Sequence, residues 1–90
     1  MMNKIMTAEE ILLENGYENV MTFGRSDCDD ALIGVSNDDR AIYDYDLMIE
    51  SLMSHDDMTY EEAIDWVDGI IRFIPVMGNK SPIIMYRLER

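Results

Sequence analysis

Residues 54–68, SHDDMTYEEAIDWVD, hold six carboxylates and the only histidine of the chain. Acids at this density serve three kinds of chemistry: metal coordination, acid–base catalysis, and pairing with a basic surface. Coordination fits poorly. His55, Asp56 and Asp57 are consecutive, so their side chains diverge on a helix or a strand alike. A zinc site needs three or four converging ligands, usually thiolates or several imidazoles, and one histidine with a distant Cys28 does not supply them. The stretches DCDD (27–30) and NDDR (37–40) lack the glycine and the closing glutamate of a calcium-binding helix–loop–helix. No metal and no cofactor is expected.

Nucleophilic catalysis fits no better. Cys28 sits among Asp27, Asp29 and Asp30, and negative neighbours raise a thiol pKa and suppress the thiolate that would attack. The chain has no glycine-rich phosphate loop, no G-x-S-x-G and no H-E-x-x-H. Among so many carboxylates no pair stands out for acid–base work. The expectation is a protein that is not an enzyme.

Pairing with a basic surface remains. Nineteen acids against seven bases give a net charge of −12, which disfavours direct contact with nucleic acid or an anionic membrane. The charge is also uneven. Fourteen acids and one base, Arg40, fall between Asp27 and Asp68, whereas Arg72, Lys80, Arg87 and Arg90 face only Glu89 beyond Gly69. A partner-binding acidic face is assigned to Asp56, Asp57, Glu61, Glu62, Asp65 and Asp68, extended by Asp38 and Asp39. The competing reading of these residues is a solvated, solubilising surface. Candidate apolar anchors are Trp66, which flanks the main helical stripe, and Tyr43 and Tyr45, which share one strand face and are otherwise core residues. Nine methionines serve either as pliable core filling or as an adaptable binding surface.

These residues need a scaffold. Ninety residues make one domain, 1–90, and 48% hydrophobic content suffices for a modest core. A single cysteine and an N-terminus without a long apolar run place the chain in the cytoplasm. MTAEEIL (6–12) and MTYEEAI (58–64) both pair a Thr N-cap with a Glu three residues on, the capping-box signature of a helix start. The first helix is expected over Ala8–Asn15, ended by Gly16. NVMTFG (19–24) reads as a strand, RSDCDD as a loop, and ALIGVS (31–36) with RAIYDY (40–45) as a hairpin bulged at Gly34. DLMIESLMSH is the second helix, capped by Asp44 or Asp46. The third follows Thr59, with Tyr60, Ala63, Ile64, Val67, Ile70, Ile71 and Ile74 facing the core, Asp68 paired to Arg72, and Pro75 as its end. PIIMYRL (82–88) reads as a well-buried strand. The fold class is therefore α+β, in the order α-β-β-β-α-α-β. Its sheet is expected to be mostly antiparallel, of three or four strands, with three helices on one face.

AIYDYDLMIESLM, with MTYEEAIDWVD and PIIMYRLE after it, resembles a family of short acidic proteins carried by phages, prophages and other mobile elements of gut Firmicutes; the likeness covers residues 31–90. It brings no catalytic residues with it. A mobile-element source implies a host-directed inhibitor, anti-CRISPR proteins included, several of which block the Lys- and Arg-lined channel of their target. The expectation is a non-catalytic module that offers an acidic surface, as a DNA mimic would, to a basic, nucleic-acid-binding host protein. The alternative is a homodimeric structural or regulatory module of a mobile element.

Overall fold

Thr7 and Glu10 start the first helix by exchanging hydrogen bonds. The Glu10 amide donates to Thr7 Oγ1 (3.2 Å) and the Thr7 amide to Glu10 Oε1 (2.9 Å). In the computed structural model, which describes residues 6–89, this helix, α1, spans Ala8–Glu14. Arg90 of the basic C-terminal end, and the first five residues, lie outside the described residues. Past the Asn15 cap, the Gly16 amide reaches the Leu13 carbonyl (3.0 Å) and the Tyr17 amide the Leu12 carbonyl (2.9 Å). That pair of bonds is a Schellman motif, and it requires the left-handed φ of +88° at Gly16. Ala8 and Leu12 are the buried side of α1, and Leu13 is exposed.

The segment after α1 corrects the first strand expectation. Residues 19–24 form no strand. Positive φ at Asn19 and Gly24 breaks the extension at both ends, and the segment docks through side chains. The Thr22 hydroxyl donates to Glu9 Oε2 (2.7 Å), and the Phe23 amide donates to the Tyr43 hydroxyl (3.4 Å). Val, Thr and Phe favour a pleated surface only where a neighbouring strand offers a ladder. The expected RSDCDD loop is ordered as a 3-10 turn over Ser26–Ala31. With three residues per turn, Cys28 and Ala31 fall on one face, and both are fully buried.

The hairpin forms as expected. β1 (Leu32–Val35) pairs antiparallel with β2 (Ala41–Asp44), and the register slips between Leu32 and Gly34, so the glycine marks a bulge. Its tip is closed by the Ser36 amide donating to the Arg40 carbonyl (2.8 Å), with Asp39 left-handed at φ 64°.

Asp44 then caps α2 (Tyr45–His55), accepting the Leu47 amide at 3.1 Å. α3 runs over Tyr60–Phe73, started by a second capping box between Thr59 and Glu62. Gly69 does not interrupt it. Pro75 lies in a 3-10 turn, Ile74–Met77, that continues from its end. The last strand, β3, is Ile83–Met85 alone, half-buried, with Tyr86 and Leu88 exposed beyond it. It is thus shorter and less buried than the apolar run 82–88 suggests.

β3 pairs parallel with β2, in register Ile42–Ile83 and Asp44–Met85. The sheet is three-stranded and mixed, in the order β1-β2-β3, and is not the mostly antiparallel one expected. A parallel pair needs a crossover of a dozen or more residues, and α2 with α3 provides it. The element order is α-β-β-α-α-β, one strand fewer than expected. Of the helices, α2 packs against the 3-10 turn, β2 and α3, while α1 touches the 3-10 turn. Cys28, Ala31, Tyr43, Met48, Leu52, Ala63 and Val67 make the centre of the core. Among the described residues no helix is long and apolar enough to cross a membrane.

Candidate functional site

α3 has two faces that bear on function. Ala63 and Val67 are buried, and Ile64, Ile70 and Ile71 pack around them. Offset from that stripe, Glu62, Trp66, Gly69 or Ile70, Phe73 and Met77 succeed one another at three- and four-residue spacing, so they share a second, open face. Tyr60, expected to face the core, is 58% exposed at the first position of α3, where it borders Ile49 and Met53 of α2.

At its N-terminal end this face meets the turn from α2. Asp57 takes a left-handed φ of 56°, a conformation that Asp adopts more readily than most residues. The turn brings Asp56, Asp57 and Met58 alongside Glu62, Asp65 and Trp66, and together they line a shallow groove of about 590 Å³. Four of the assigned acids therefore converge. Glu61 is exposed and Asp68 half-buried, and neither lines the groove. Asp38 and Asp39 are exposed at the hairpin tip, away from the groove lining; there Ser36 donates to the Asp38 carboxylate and Lys80 Nζ to its carbonyl (2.6 Å).

At its other end Phe23, Arg25, Trp66, Gly69, Ile70, Phe73 and Met77 line a second groove, of about 470 Å³ and mostly apolar. Trp66, 46% exposed, is the wall common to both. Phe73 is 60% exposed. The sequence reading missed Phe23, Arg25 and Met77 as surface residues of one site. The offset spacing along α3 signals Phe73 and Met77, but nothing local signals that the chain at 23–25 folds back against Trp66. Of the other two anchors, Tyr43 is withdrawn: it is 1% exposed, a core residue packed against Phe23 with tilted rings whose centroids are 4.6 Å apart. Tyr45 is half-buried against Tyr86, at 4.9 Å.

The electrostatics follow from the same geometry. Arg25 grips Asp27 with two hydrogen bonds (3.0 and 2.7 Å) and lies 5.0 Å from the centroid of the Trp66 ring. Burial works to raise the Asp27 pKa, but hydrogen bonds led by those from Arg25 outweigh it and hold the carboxyl below the usual range. Asp56 moves the other way, pushed up chiefly by its contact with the Asp27 carboxylate. His55 Nε2 meets Asp30 Oδ2 at 3.1 Å. Cys28 is sealed in the core, and burial, reinforced by Asp27, pushes its thiol up to about 12. Among the described residues the ion pairs are Arg25–Asp27 and Arg87–Asp44, and His55–Asp30 joins them only when the imidazole is protonated. Asp56, Asp57, Glu62 and Asp65 have no cationic partner there, and the expected Asp68–Arg72 pair is not made. Nor do three His, Cys, Asp or Glu side chains converge among the described residues as metal ligands would.

No family model, no curated protein and no solved structure matches this chain.

Proposed function

We propose that the protein is a non-catalytic binding module whose acidic face engages a basic partner, one that handles nucleic acid. The observation that carries the reading is the groove of Asp56, Asp57, Glu62 and Asp65, four carboxylates gathered beside Trp66, none of them in an ion pair among the described residues. The capping box with Thr59 accounts for Glu62, but folding does not require Asp56, Asp57 and Asp65 beside it, since like charges held close repel one another. A protein surface that normally holds phosphates carries the Lys and Arg that would neutralise them. A host-defence protein is one partner of this chemistry, and anti-CRISPR activity is one form of the role.

The test is affinity capture from host lysate with the native chain and with a variant carrying Asp56→Asn, Asp57→Asn, Glu62→Gln and Asp65→Asn. A basic partner held by the native chain, lost by the variant and weakened by salt is the expected result. Capture that ignores both the substitutions and the salt would sink the reading.

A second reading, the homodimer, is favoured by β1 alone. It is an edge strand, and its Ile33 is 48% exposed. Light scattering discriminates: a monomer at micromolar concentration removes this reading.

A further inference from the structure

We infer that the open face of α3 seats a short amphipathic segment of the partner, with its apolar side chains in the Trp66–Phe73 groove and its Lys or Arg side chains against Asp56, Asp57, Glu62 and Asp65. The inference rests on the proposed function and specifies how the partner is held.

The two grooves adjoin at Trp66 and follow one helix. From Glu62 to Phe73 the face runs about 16 Å at the rise of an α-helix, room for some three turns of a docked helix. Its halves differ in chemistry. One end is lined by four carboxylates, and the other by Phe23, Ile70, Phe73 and Met77. A phosphate track carries no apolar lining, so pure nucleic-acid mimicry leaves the second groove unexplained. A segment with both basic and apolar side chains accounts for both halves.

Charge narrows the occupant further. Nucleic acid and anionic lipid are repelled by a net charge of −12. A second copy of this chain, docked face to face, would set the carboxylates against one another if parallel or against the apolar groove if antiparallel, and neither arrangement gives them a cation. A cationic segment is the complement. Arg25 displays the mode of attraction within the molecule itself: its guanidinium is held by a carboxylate on one side and the indole ring on the other. Gly69 leaves open space in the floor between the aromatic rings, where an added Cβ meets nothing within 4 Å.

Two synthetic probes test the inference by calorimetry at fixed salt. One is a Lys/Leu peptide of helical amphipathic pattern, about four turns long; the other is an oligolysine of the same charge. The amphipathic probe should bind at least about tenfold tighter, the scale of one buried anchor. Phe73→Asp should erase that advantage without weakening oligolysine, while Val76→Asp, which adds the same charge outside the groove, should preserve it. Phe73 and Val76 are both exposed, so far-UV circular dichroism should find both variants folded. An advantage that is absent, or that survives Phe73→Asp, overturns the inference. Oligolysine binding through the acids with no such advantage overturns it while the acidic-face reading stands. Binding of neither probe removes both. A dimer that Phe73→Asp dissolves also overturns it, because a second copy would then occupy the face.

Discussion

The Arg25 guanidinium lies 5.0 Å from the centre of the Trp66 ring while its two nitrogens hold Asp27. One residue thus ties the irregular segment after α1 to the open face of α3 and neutralises a carboxylate in contact with Asp56. Trp66 is the only tryptophan of the chain, so its emission reports on this contact.

Arg25→Ala should shift the Trp66 emission and lower stability by about 1 kcal/mol, a modest figure because the Arg25 side chain is 34% exposed and screened by water. Urea unfolding followed by Trp66 fluorescence measures both. An unchanged midpoint would show that the contact holds nothing together. The same substitution frees Asp27 for an incoming cation, so the oligolysine affinity should rise.

Asp44 has two tasks, and two substitutions separate them. It caps α2 through the Leu47 amide and accepts Arg87 Nε at 2.7 Å, while only 3% exposed. Burial favours its neutral form, yet the hydrogen bonds from Arg87 and Leu47 prevail and hold its pKa below 3.8. With the folded pKa depressed, the native state holds fewer protons than the unfolded chain in this range. The Asp44 contribution is therefore complete above about pH 4 and is lost as pH falls through the lower folded value. Asp44→Asn should keep the cap and flatten the acid limb of the stability curve. Asp44→Ala should also lose the cap, worth about 1 kcal/mol. Chemical denaturation between pH 2 and pH 6 gives the comparison, and identical acid limbs for the native chain and Asp44→Asn would contradict it.

Gly16→Ala and Gly69→Ala should change stability in opposite directions. Neither added methyl group meets an atom within 4 Å, so packing is not at issue. Gly16 sits at φ +88°, where a Cβ is strained, and the change should cost about 1 kcal/mol. Gly69 is helical, and alanine there should add up to about 1 kcal/mol. Thermal unfolding of the two variants reads the signs, and a shared sign would contradict the assignment.

Cys28 should be inert in the native chain. It is fully buried, and its thiol titrates near 12. Labelling by a maleimide at neutral pH should therefore track unfolding and accelerate in urea at the rate of global opening. Rapid labelling without denaturant would place Cys28 at the surface.

Local signals told much of the fold. The two Thr–Glu capping boxes, the Gly16 stop and the Gly34 bulge all act within a few residues of themselves, and each is found where the sequence puts it, while of the two caps it offers for α2 the structure uses Asp44. The segment Asn19–Gly24 was misread because its composition suits a strand while its hydrogen bonds go to Glu9 and Tyr43, distant in sequence. RSDCDD was misread because a spacing of three, with Cys28 and Ala31 both buried, looks the same in a loop and in a 3-10 turn until something packs on it.

The acidic groove divides along the same line. Spacing along α3 made Glu62 a neighbour of Asp65 at i+3 and of Trp66 at i+4. Only the tertiary structure decided that Asp56 and Asp57 curl back onto these residues and that Glu61 and Asp68 stay off the groove lining. It also placed Phe23 and Arg25 against Trp66 and Tyr43 in the core. The parallel placing of β3 beside β2 is of the same kind. Each of these juxtaposes residues tens of positions apart, and no periodicity in the chain encodes such a meeting. It is set by which surfaces exclude water together when α2 and α3 fold over the hairpin.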